Sequence, residues 1–192
     1  MPLALGLIVF FGVHSLQIFA EDGRGRLIAR LGESQFKLTY SALSLIGLLL
    51  IIFGYGQARA DASVLWSPPT GLRHLVFLLV PVAFILVASA YSPAGHIKAM
   101  VRHPMVLGVA IWALAHLLVN GTDADLVLFG GFLAWALVDY ASALRRTARG
   151  TAQATAAKNL RGDLIAVVIG LVLSAAFLFG LHGWLIGVPL LR

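Results

Sequence analysis

A guanidinium, two imidazoles, an indole and a carboxamide share one otherwise apolar stretch: Arg102-His103-Pro104-Met105 leads through Gly108 and Trp112 to His116 and Asn120. Polar and ionisable groups inside a lipid-embedded element are expensive, so those that persist are functional candidates by default. Gly108, Trp112, His116 and Asn120 recur at every fourth position and would share one helix face. A glycine gap beside an indole and an imidazole suits a flat, apolar cofactor. His103 and His116 would lie ~20 Å apart on roughly opposite faces of one helix, so a small site cannot use both.

A second group sits near the start, where His14, Gln17 and Glu21 fall near one helix face with Ser15 beside them. A neutral imidazole is a natural axial ligand of haem iron, and two histidines from two helices, His14 and His116, would give bis-imidazole ligation. The competing reading makes each an interhelical hydrogen-bond partner or the lining of a wet cavity. His103, between Arg102 and Pro104 at a helix start, suits interfacial capping or a lipid headgroup, and both residues stay in the candidate cofactor set with Gly108 and Trp112. His74, His96 and His182 read as interfacial. Asp139 would offset its burial by pairing with Arg102 or His103, or would snorkel to the interface.

The elements that must carry these residues are membrane helices. The chain has 192 residues, is 60% hydrophobic and only 11% charged, whereas a soluble domain carries roughly 25% charged residues. Six apolar runs are expected as spans, over about 2–20, 36–56, 72–91, 104–119, 125–145 and 163–190, in one domain covering 1–192. The first lacks the charge pattern of a signal peptide and is expected to stay as a helix. Small residues, Gly108 and Ala115 in the fourth span and Gly130, Gly131 and Ala134 in the fifth, predict a close antiparallel hairpin there. Asp123 is a candidate N-cap for the fifth span, and 147–157 reads as a flexible connector.

Eleven of the fourteen Lys and Arg residues fall in loops one, three and five. The positive-inside rule then places those loops in the cytoplasm and both termini outside. The same rule accounts for the formal charge of +6, so no nucleic-acid partner is expected; membrane lipid is. The absence of cysteine removes disulfides, thiolate metal ligands and thiol nucleophiles.

Val13-His14-Ser15, Arg102-His103-Pro104-Met105 through Gly108, Trp112, Ala115-His116 and Asn120-Gly121, and Leu128-Phe129-Gly130-Gly131 resemble the NnrU family over essentially the whole chain. That family is similar to the plant and cyanobacterial 15-cis-zeta-carotene isomerase. The resemblance implies a multi-pass, haem b-binding protein of a bacterial cytoplasmic membrane, with His14 and His116 as metal ligands. It would act as a redox-gated cis-trans isomerase of a polyene, or as an accessory factor in nitrite and nitric oxide respiration (denitrification) with an unknown redox partner. The isomerase branch has a cysteine where this chain has Ala113, so a ligand exchange needing a thiolate is excluded here. Arg102-His103-Pro104 also looks like the element of membrane methyltransferases and reductases that work at the cytoplasmic face, although loop five lacks their acidic residues. A non-catalytic assembly or signalling protein is the third reading.

Overall fold

The computed structural model describes residues 2–150 and 159–191, and among them every extended element is a helix. The helices are α1 (Pro2–His14), α2 (Leu16–Phe19), α3 (Glu21–Leu31), α4 (Glu33–Ala60), α5 (Leu72–Tyr91), α6 (His96–Val101), α7 (Pro104–Leu117), α8 (Asp123–Ala148) and α9 (Leu160–Ile186). Single π-helical turns interrupt α8 at Leu126–Gly130 and α9 at Phe177–Leu181. Four helices, α4, α5, α8 and α9, are long and apolar enough to cross a membrane, while α1 and α7 are shorter apolar helices. The protein is a helical membrane bundle with four full-length candidate spans where the sequence suggested about six. The connector expected over 147–157 falls mostly outside the described residues.

Two compact units divide the chain, Met1–Trp66 with Thr122–Gly131 and Ser67–Gly121 with Phe132–Arg192. In the first, α1 lies against α4 because glycines let the two backbones meet. A Cβ on Gly6 would come within 2.7 Å of the Ile51 nitrogen, one on Gly47 within 2.9 Å of the Phe10 nitrogen, and one on Gly54 would strike Leu3. Helices in lipid gain little from apolar contact alone, so dispersion at close approach has to hold them together.

The start of α8 is tied to α4 by a buried carboxylate. Asp125, 4% exposed, accepts from the Tyr55 hydroxyl at 2.6 Å and from the Thr122 backbone and hydroxyl at 3.0 and 2.7 Å. Thr122, rather than Asp123, is the N-cap and forms a reciprocal capping box with Asp125. Asp123 instead accepts from the Ser63 and Ala124 amides.

In the second unit, α5 is the centre and takes α7 on one side and α9 on the other. Gly108 of α7 meets the Ala83 carbonyl of α5, where a Cβ would come to 2.8 Å, and Gly170 of α9 lies against Ile85. The close hairpin predicted between the fourth and fifth spans is therefore corrected. The small face of α7 is taken by α5, Gly131 faces Phe11 of α1, and α7 meets α8 through bulky rings, Trp112 edge-on to Phe132 at 5.6 Å. Asp163 of α9 caps α6 from outside it, accepting from the His96 and Ile97 amides at 2.9 Å each and from His96 Nδ1 at 2.8 Å. Gly95 has no side chain because that carboxylate occupies the space.

Candidate functional site

His14 is the last residue of α1, and its ring is fixed from three directions. Nδ1 donates to the Phe10 carbonyl one turn back at 2.7 Å, the ring stacks on Phe10 at 4.1 Å, and Tyr40 of α4 lies tilted at 5.2 Å. A neutral imidazole that donates from Nδ1 carries its lone pair on Nε2. The ring lines a cavity of about 440 Å³ within the first unit, in the roughly 300–1,000 Å³ range of small-molecule sites. Val13, Leu16, Phe36 and Tyr40 give it apolar and aromatic walls, while Gln17, Arg24 and Lys37 bring polar groups.

Lys37 reaches this cavity from α4 and Arg24 from α3, a helix that the sequence reading left as a charged loop. Its acidic residues, Glu21 and Asp22, stand in the first turn and Arg30 in the last, complementing the helix dipole. Gly32, at φ 78°, reverses the chain into α4, a left-handed conformation that costs glycine nothing. The reversal sets the Arg24 guanidinium over the Phe36 ring at 5.4 Å. Lys37 pairs with Glu33 at 2.6 Å across one exposed turn.

His116 repeats the His14 device in the second unit. In the last turn of α7, its Nδ1 donates to the Trp112 carbonyl at 2.8 Å, and the indole lies 4.9 Å from the ring. Both histidines thus donate four residues back along their own helix, whereas His74 and His182 use Nδ1 on the Gly71 and Val188 carbonyls. Asn120 lies beyond the end of α7 rather than on its face. Its backbone and side-chain nitrogens both donate to the His116 carbonyl at 2.9 Å, closing a helix end that would otherwise show an unmet acceptor. The gap beside Gly108, read as room for a flat ligand, is filled by α5. Ala113 is fully buried.

His103 is held differently. The Thr147 hydroxyl gives its proton to the Ala143 carbonyl at 3.0 Å, so it accepts from His103 Nε2 at 2.8 Å, and Tyr140 stands edge-on at 6.4 Å. Burial, with Arg146 and Arg102 adding, holds this imidazole below its ordinary range against the opposing pull of Ala143 and Asp139. Arg102 is exposed and is the one described non-glycine residue at positive φ, 62°. Asp139 lies 3.8 Å from Arg146 on its own helix, and Tyr140 donates to the Val101 carbonyl at 2.9 Å. Among the described residues no three His, Asp or Glu side chains gather for a metal ion.

Arg24, Lys37 and Tyr40, with Asp125 and Asp163, escaped the sequence reading. The dipole-matched charges of the α3 segment were the available signal.

Comparison with known proteins gives two results. The sequence profile described as NnrU protein matches residues 2–190. The 15-cis-zeta-carotene isomerase of Zea mays chloroplasts is 27% identical over 143 residues, a stretch covering 66% of this chain and 38% of that protein. The chain thus spans less than two fifths of that relative's length. No solved structure matches it.

Proposed function

The chain belongs to the NnrU family, and from that premise we propose that it is a haem b protein of a cytoplasmic membrane, with both termini outside, that isomerises a polyene between cis and trans forms. His14 and His116 would be the iron's ligands. The observation that carries this reading is their shared bond from Nδ1 to the carbonyl one turn back. Such a bond fixes the tautomer, orients the ring and raises the basicity of Nε2, as the outer partner of a metal-bound histidine does. The cavity at His14 adds a matching donor set, an imidazole among aromatic walls with cations beside them.

Bound there, haem b would supply an iron able to change redox state. The chain's own residues bind, orient and shield. Phe10 and Tyr40 pack against the His14 ring, and Trp112, itself braced edge-on by Phe132, packs against the His116 ring. Large apolar side chains such as Ile8, Phe53 and Val172 lie exposed for lipid, so a polyene dissolved in the bilayer can approach without crossing water. Polyene isomerisation rests on the isomerase of the maize chloroplast. His103, with Nε2 given to Thr147, is left a packing role.

The test is a reduced-minus-oxidised spectrum of protein produced with ample haem, followed by incubation with a 15-cis polyene and separation of the isomers. Wild type is expected to show a Soret band and to convert the substrate. His14→Ala and His116→Ala lose the band, whereas His103→Ala keeps it. No band in the folded wild type overturns the haem reading. A band without conversion overturns the isomerase assignment and leaves the nitrogen-oxide role to be assayed.

A further inference from the structure

The cavity beside His14 has a polar rim whose charge the ligand must match. Arg24 of α3 and Lys37 of α4 line it together with Val13, Leu16, Phe36 and Tyr40, and Lys37 directly follows Phe36, whose ring carries the Arg24 guanidinium. The Phe36 ring holds the Arg24 guanidinium by its face, a contact that leaves the N–H groups at the guanidinium edge able to meet an acceptor. Lys37 is spent on Glu33, with both side chains 71% exposed, and such a pair is weak and readily exchanged. Among the described residues no acidic side chain lines the cavity. Two cations beside an apolar box call for an amphiphile with a flat hydrophobic body and acid groups at one edge.

We propose that Arg24 and Lys37 anchor the two carboxylates of the tetrapyrrole whose iron His14 ligates, so that the ring's acid edge faces α3. This rests on the haem reading above and adds a polarity to it: α3 is the lid of the acid edge, and Glu33 competes with the ligand for Lys37.

The experiment titrates haem b and its dimethyl ester, in which both acid groups are capped, into the purified full chain stripped of haem. Absorbance gives each affinity. Wild type is expected to prefer the free acid on the order of tenfold, the sum of two exposed charge pairs. Arg24→Gln with Lys37→Gln abolishes that preference, leaves ester affinity unchanged, and keeps the Soret position and reduced-minus-oxidised spectrum of the saturated protein. Arg24→Lys with Lys37→Arg retains part of the preference, which separates lost charge from lost folding. Glu33→Gln, which releases Lys37, strengthens it. Equal preference in wild type and the double glutamine variant overturns the anchor while leaving haem binding in place. A wild type that binds neither compound overturns both.

Discussion

At the scale of single residues, the histidines are sorted by which ring nitrogen each has committed. His14 and His116 give Nδ1 to a carbonyl, whereas His103 gives Nε2 to Thr147. Because burial depresses the His103 pKa, the folded state binds its proton more weakly than the unfolded chain. The stability contributed by the neutral ring is fully present above about pH 6.5 and is lost as pH falls through the depressed value. Thermal unfolding in detergent should therefore show a midpoint that drops between pH 7.5 and 5, and less steeply in His103→Gln. Tyr55 makes a second residue-scale case. Tyr55→Phe removes a donor to the buried Asp125 carboxylate and is expected to cost about 1–2 kcal/mol, read as a lower unfolding midpoint. The two candidate ligands were legible from residue type alone, since an imidazole in an apolar run stands out. Arg24 was not, because its place over Phe36 depends on the reversal at Gly32.

Among the elements, apolar length was easy to read and close packing was not. The runs that became α4, α5, α8 and α9 announce themselves by hydropathy, and Pro104 opens α7 where the sequence placed it. Which glycine meets which helix depends on the relative rotation of two helices, and a single sequence carries no record of that. Gly54 and Gly12 separate the two kinds of glycine. A Cβ on Gly54 strikes Leu3, while one on Gly12 meets nothing. Gly54→Ala should destabilise by about 1–3 kcal/mol through overpacking. Gly12→Ala, in the open on α1, should be neutral or gain up to about 1 kcal/mol of helix propensity. Comparing the two unfolding midpoints in one detergent checks both. Helix α3 was missed because Gly23, Gly25 and five charged residues make its segment look like a loop, although its charges follow the dipole.

For the molecule as a whole, the proposed orientation rests on charge alone, and the cysteine-free sequence makes it easy to measure. The proposed topology puts loop five in the cytoplasm, so Arg149→Cys is expected to react with a membrane-impermeant maleimide only after the cells are opened. Ser67→Cys, in the second loop, should react in intact spheroplasts. The reverse pattern would invert the topology without disturbing the helices.

Helix α7 has 14 residues, about 21 Å at ~1.5 Å per residue, against roughly 30 Å of hydrocarbon. If α7 starts at one membrane face, as the proposed topology has it, the His116 carbonyl closed by Asn120 would stop short of the other face, among lipid tails. The surrounding leaflet would then have to pinch inward or admit a funnel of water at that point. Longer acyl chains would then tax His116 first, making membrane thickness a physical dial on that imidazole's hydration.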